Sequence, residues 1–158
     1  MTAATDTILT ILIRLGDRTF ALPTAPLAEL IPRVDCHAAD GAPEYLAGVF
    51  NYRGEVTPAL DLVQWIAGTP ASDGFESRIA VLRVETPLGM RHLGLLVDAA
   101  AELRHIPKPQ DAGGLAPAQH KPWMGPILRS EDELIQVIYP QRLMDSEKLR
   151  KLYQEGEG

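Results

Sequence analysis

Apolar and polar positions alternate with a period of two along most of this chain. In TILTILIRL, Thr7 to Leu15, the residues Leu9, Ile11, Ile13 and Leu15 fall on one face, as in a half-buried strand. Gly16-Asp17 follows with glycine first, the chemistry of a type II′ hairpin turn, and RTFALP returns as a second strand stopped by Pro23. TAPLAEL is read as one or two helical turns, with Thr24 as cap and proline in the first turn, before ELIP extends again. Residues 32 to 45 form a loop rich in Pro, Gly, Ala and Asp. Leu46 to Tyr52 and Glu55 to Leu60 then form a hairpin about Arg53-Gly54. Asp61 caps a helix, DLVQWIA, with Gln64 as capping-box partner, and Gly68 and Pro70 end it. After a loop over 71 to 77, the segments RIAVLRVE and MRHLGLLVD read as strands, and AAAELRHIP as a further strand although its alanines permit helix. Residues 107 to 122 are a long proline-rich loop. WMGPILRSEDELIQVIYP is a last hairpin turning at Ser130 to Glu133, and Gln141 to Glu155 a terminal helix with Leu143, Leu149 and Leu152 on its apolar face and Glu147 within reach of Lys151.

Many short strands, few helices and no βαβ alternation predict a mainly all-β protein of small antiparallel barrels. A chain of 158 residues forms one domain, or two small interlocked ones, and buries roughly 68–70% of its unfolded surface, enough for a core without staples. The single cysteine, Cys36, leaves no intrachain disulfide, and a reducing cytosol is the expected home. The N-terminus lacks a basic n-region, and no apolar run is long enough to span a bilayer. The formal net charge of −6, without a basic stripe, disfavours nucleic acid, whose phosphates demand cations, and disfavours direct attachment to anionic membranes.

Candidate chemistry is sparse. Cys36 and His37 are neighbours that point opposite ways on an extended chain, so they do not make a dyad. His92, His105 and His120 lack a close-spaced ligand pair, which leaves no metal site. Glu131, Asp132 and Glu133 lie in a turn and read as solvated. No Walker loop, dinucleotide fingerprint or nucleophile elbow is present, and Gly113-Gly114 opens no helix. The expectation is a binding module with no catalytic residue, metal or cofactor, and the alternative is a small enzyme of unrecognised class.

The stretch GVFNYRGEVTPALDL, Gly48 to Leu62, raises a sharper question. Arg53-Gly54 reads equally as an ordinary turn pair and as a functional loop. Glu29 is a candidate carboxylate partner for Arg53 if the two hairpins belong to one barrel.

The same stretch resembles the motif G-V-x-N-x-R-G-x-V-x-P-x-x-D-L of the CheW-like domain, found in the coupling adaptors of bacterial chemosensory arrays. Gly48, Val49, Asn51, Arg53, Gly54, Val56, Pro58, Asp61 and Leu62 all fall in register. TFALPTAPLAELIP is similar to the family's second strand, short helix and third strand, with Glu29 at the acidic position. HLGLLVDAAAELRHIP resembles the second-half signature through Gly94 and Asp98, and WMGPILRSEDELIQVIYPQRLM the closing hairpin. The resemblance covers residues 7 to 145. Tyr52 departs from it where an aliphatic is usual, and Ala59 where a larger β-branched residue is common. Some second-half details are similar to adaptors of surface-sensing Wsp-type systems, whose output is a diguanylate cyclase.

The resemblance implies two SH3-like five-stranded antiparallel barrels with a cleft between them, short helices and a C-terminal helix, in a single CheW-like domain over residues 1–158. It implies a non-catalytic, cytoplasmic scaffold, associated with membrane receptor arrays through two partners. One is the regulatory domain of a CheA-type histidine kinase, and the other the cytoplasmic tip of a methyl-accepting chemoreceptor. Carried over by position, Leu27, Glu29, Gly48, Asn51, Arg53 and Gly54 lie at or beside the receptor-binding region, and Val81 lines the cleft. Leu27 and Val81 read equally as core, Gly48 and Gly54 as backbone necessities, and Asn51 as a cap of its own hairpin. Gly48→Asp is expected to keep its fold and lose receptor coupling. An excised regulatory domain of a larger kinase would look similar; Met1 and the polar C-terminus favour a stand-alone adaptor.

Overall fold

The computed structural model describes residues 6–38, 40–109, 115 and 121–153. Its strands are β1 (Thr7–Leu15), β2 (Arg18–Pro23), β3 (Leu27–Pro32), β4 (Leu46–Tyr52), β5 (Glu55–Asp61), β6 (Arg78–Thr86), β7 (Gly89–Val97), β8 (Ala99–Pro107), β9 (Met124–Ser130) and β10 (Glu133–Ile138). They form two five-stranded sheets, β8-β1-β2-β10-β9 and β3-β6-β7-β5-β4. The second sheet is inserted between β2 and β8 of the first, so the two are interlocked through the chain. The arrangement is the expected pair of small SH3-like β units. It is mixed rather than purely antiparallel: β10 runs parallel to β2, and β5 parallel to β7. Alternation along a strand places its faces, but it does not encode which non-sequential strand lies beside it.

Two other expectations change. TAPLAEL forms no helix. Thr24 and Leu27 close a turn through the Leu27 N–H to Thr24 carbonyl bond of 3.0 Å, and β3 begins at once at Leu27, laddered to β6. The capping chemistry is present, but the long-range ladder takes the backbone groups that a helix would need. The terminal helix is also broken. Pro140–Asp145 is a 3-10 turn, and α2 spans only Glu147–Lys151, capped by Ser146, whose Oγ accepts from the Leu149 N–H. Leu143 and Leu149 are buried as the apolar pattern predicts, while Leu152 stays partly exposed and residues 154 and 155 lie outside the described residues.

Helix α1 (Leu62–Ala67) follows its sequence signals. Asp61 Oδ1 accepts from the Gln64 N–H at 2.9 Å, and Gly68 ends the helix with φ 76°. The helix contributes Trp65 to a run of aromatics that joins the two sheets. Tyr45 stacks on Trp65 at 3.8 Å, Trp65 lies 5.7 Å from Trp123, and Trp123 lies 6.4 Å from Phe20 of β2. Around this run one core holds Ile13, Leu15 and Leu22 of the first sheet together with Leu60, Ile79 and Leu95 of the second. A smaller core of Leu12, Ala21, Ile106, Leu128, Ile135 and Val137 belongs to the first sheet alone.

Two polar clips complete the frame. Asp98 accepts from the Gly16 N–H at 2.7 Å and from the Ser72 N–H at 2.6 Å, tying the β1–β2 turn to the loop before β6. Arg104, only 8% exposed, reaches from edge strand β8 to Glu133 and to Ser130 at the β9–β10 turn. Burial of that guanidinium is tolerable because Glu102 and Glu131 also face it. The acidic turn therefore carries ion pairs rather than being wholly solvated.

Candidate partner-binding site

The site is built at one end of the second sheet, where edge strands β3 and β4 approach one another. Arg53 and Gly54 form the two-residue turn between β4 and β5, with φ of 51° and 86°. Positive φ at both positions is the signature of a type I′ hairpin, whose twist matches that of the flanking strands. A glycine takes the second position at no steric cost. Arginine at the first is uncommon, and it is held there by Asn51, whose Oδ1 accepts from the Gly54 N–H at 2.7 Å. Asn51 thus does cap its own hairpin, while remaining exposed.

Arg53 reaches across to β3. Its Nη2 donates to Glu29 Oε1 at 2.9 Å, the ion pair expected from the sequence. The same carboxylate oxygen accepts from the Tyr52 hydroxyl at 2.7 Å. The Tyr52 bond is the largest influence holding the Glu29 carboxyl below its usual value; desolvation opposes it and the Arg53 charge supports it. The same bond pushes the Tyr52 phenol up. The Arg53 guanidinium also lies 5.5 Å from the centre of the Tyr52 ring. Behind it, His92 of β7 meets that ring edge-on at 5.0 Å and bonds through Nδ1 to Glu55 Oε1 at 2.9 Å.

The remaining predicted residues separate. Leu27 is half-buried at the start of β3 and packs on the main core. Val81 pairs with Glu29 across β3 and β6 but is fully buried, so it offers no surface to a partner and supports the site from beneath. Gly48 needs correction. Its φ is 144°, and a Cβ there would lie 2.3 Å from the His37 carbonyl oxygen, which accepts the Val49 N–H bond at 2.8 Å. The glycine serves the backbone, where residues 36–38 cover edge strand β4, and Gly48→Asp is expected to destabilise the fold rather than leave it intact.

Sequence reasoning did not name an adjoining apolar groove. In the β4–β5 register, Val49 opposes Pro58 and Asn51 opposes Val56; on that face Asn51 and Val56 are exposed, Val49 is half-buried and Pro58 is buried, while Phe50, Thr57 and Tyr52 face in. Val49, Val56 and Pro58, with Leu88 and Leu152, line a groove of about 340 Å³ whose wall also includes Glu55 and Arg91. Val56 is 75% exposed. The signal was legible: period two puts Val49 and Val56 on the solvent side of a hairpin, where apolar residues call for a partner. Among the described residues, no group of three or more His, Cys, Asp or Glu could hold a metal, and no helix is long and apolar enough to cross a membrane.

The CheW-like domain model matches residues 10–148. The protein FrzA of Myxococcus xanthus is 30% identical over 111 residues, covering 68% of this chain and 67% of FrzA. A protein from Rhizobium etli named "Probable chemotaxis protein CheW" is 31% identical over 93 residues, covering 59% of this chain and 57% of that protein. The scaffolding protein TtCheW from Thermoanaerobacter tengcongensis superposes with a TM-score of 0.73 over 94% of each chain at 21% identity, which establishes the shared fold. With the motif intact on its hairpin and the fold in common, the chain belongs to the CheW-like domain family, the non-catalytic scaffolds that couple chemoreceptors to CheA-type kinases.

Proposed function

We propose that this chain bridges a chemoreceptor and a histidine kinase through two separate surfaces of its second sheet, working in the cytoplasm at a receptor array that its partners attach to the membrane. The observation that carries this reading is the pairing of an ordered polar cluster, Glu29–Tyr52–Arg53, with an apolar groove on the outer face of the same hairpin. The polar cluster receives the helical hairpin tip of the receptor, with Arg53 as the contacting charge, Glu29 as its orienting partner, and Asn51 and Gly54 shaping the turn. Leu27 supplies apolar support beside it. The groove at Val49, Val56 and Leu88 receives the kinase regulatory domain by burial of apolar area. The adaptor carries out no chemistry. It raises the effective concentration of kinase at receptor, so that individually modest contacts combine into a firm assembly.

Val56→Glu tests the groove. The side chain is 75% exposed, so the fold is retained. The buried contact is replaced by a charge that must be desolvated, and affinity for the kinase regulatory domain is expected to fall by about tenfold or more, near 1.4 kcal/mol. Calorimetric titration, with a thermal melt as fold control, reads both quantities. Unchanged affinity would place the kinase contact elsewhere.

A further inference from the structure

We propose that Tyr52 is a positioning residue: its hydroxyl fixes the Glu29 carboxylate across the gap between β3 and the end of β4, and so sets the direction in which Arg53 meets a partner. The inference rests on the receptor-binding role given above to Arg53. It concerns a position where this chain departs from the family motif.

The geometry runs from a rigid base to an exposed tip. Tyr52 is only 7% exposed, and His92 closes on its ring at 5.0 Å while being held by Glu55. Its hydroxyl is therefore a fixed point. Strands β3 and β4 are the two edges of the sheet and share no ladder, so side chains must bridge them. Tyr52 does so through Glu29 Oε1, and Arg53 uses that same oxygen. An ion pair between Arg53 and Glu29 alone would join two long side chains, exposed by 73% and 38%, and such pairs hold little geometry in water. With the carboxylate pinned from beneath, the guanidinium is fixed at its tip by Glu29, along its side by the Tyr52 ring, and at its root by the type I′ turn. A side chain ordered before binding loses less entropy on binding. An aliphatic residue at position 52 supplies packing but no hydroxyl, and leaves Glu29 free to rotate.

The test uses the full chain with Tyr52→Phe, which removes only the hydroxyl, and Glu29→Ala, which removes the acceptor, alone and combined with it. Carboxyl titration of Glu29 by NMR is followed without partner, and affinity for a helical-hairpin receptor-tip fragment is measured by calorimetry. The Glu29 carboxyl is depressed in the folded state, so its bond to Tyr52 persists at neutral pH and is lost as pH falls through that depressed value. In Tyr52→Phe the carboxyl is expected to titrate at higher pH, the fold to persist, and receptor-fragment affinity to drop about threefold to tenfold. The double variant is expected to bind no more weakly than Glu29→Ala alone, because alanine leaves the Tyr52 hydroxyl no acceptor and Tyr52 acts through Glu29. This non-additivity would not arise from a merely structural role. An unmoved Glu29 titration, an unchanged affinity in Tyr52→Phe, or additive losses in the double variant would overturn the inference. Failure of the unaltered chain to bind the fragment would instead overturn the receptor-binding role of Arg53, and with it the recognition half of the proposal.

Discussion

Gly48→Ala is expected to destabilise the protein by about 3 kcal/mol or more, enough to lower the melting temperature by roughly 10 °C in a domain of this size. Two effects act together. The φ of 144° is a backbone conformation that side-chain-bearing residues rarely adopt, and the new methyl would lie 2.3 Å from the His37 carbonyl oxygen and 2.7 Å from its carbon. Both atoms are backbone, so no rotamer change relieves the overlap. The chain can escape only by moving residues 36–38 away from β4, which breaks the paired bonds between His37 and Val49, each 2.8 Å. Edge strand β4 then loses its cover, and soluble yield is expected to fall with stability. Chemical denaturation of Gly48→Ala reads the effect directly. A stability within 1 kcal/mol of the parent would show that residues 36–38 yield at little cost. Loss of partner binding by a Gly48 variant therefore reports on folding before it reports on recognition.

Arg53→Glu has its main effect on binding. The side chain is 73% exposed and its ion pair with Glu29 is largely solvated, so stability is expected to change by no more than about 1 kcal/mol. Asn51 still caps the turn, and Tyr52 still holds Glu29. The surface, however, changes from a guanidinium oriented by a carboxylate to two carboxylates facing each other. Receptor-fragment affinity is expected to fall at least tenfold, about 1.4 kcal/mol. Calorimetry at two salt concentrations checks it. A receptor affinity equal to that of the parent would remove Arg53 from the interface. Equal loss of the kinase contact at the separate groove would indicate a folding defect instead.

Much of this site is legible in the local sequence because its determinants are local. The hairpin follows from Arg53-Gly54 between two alternating segments, the helix after it from Asp61, Gln64 and Gly68, and the outward apolar positions from Val49 and Val56, whereas the I′ type of the turn comes from the positive φ of Arg53 and Gly54. The Glu29–Arg53 pair is a longer inference, which needed both hairpins in one barrel. What stays hidden depends on contacts distant in sequence. Tyr52 reads simply as an inward residue at the end of β4. Only the approach of β3 gives its hydroxyl an acceptor, and only β7 brings His92 to its ring. Gly48 is similar: a glycine in a strand announces either strain or close approach, and the atom that approaches, the His37 carbonyl oxygen, comes from a loop that carries no strand pattern. Val81 fits a cleft or a core by alternation alone, and burial by its neighbours on β3 and β7 settles it as core. The missing turn of helix at Thr24–Leu30 shows the reverse case, in which valid capping chemistry gives way to pairing with β6.

The central claim is that one chain holds two partners at once. Its most direct test is reconstitution of the full chain with a CheA-type kinase regulatory domain and a receptor-tip fragment, followed by size-exclusion chromatography with light scattering. The account predicts a ternary complex that forms with the unaltered chain, loses the receptor fragment alone in Arg53→Glu, and loses the kinase domain alone in Val56→Glu. Binding of the two partners in strict competition, so that either displaces the other from the same surface, would contradict it.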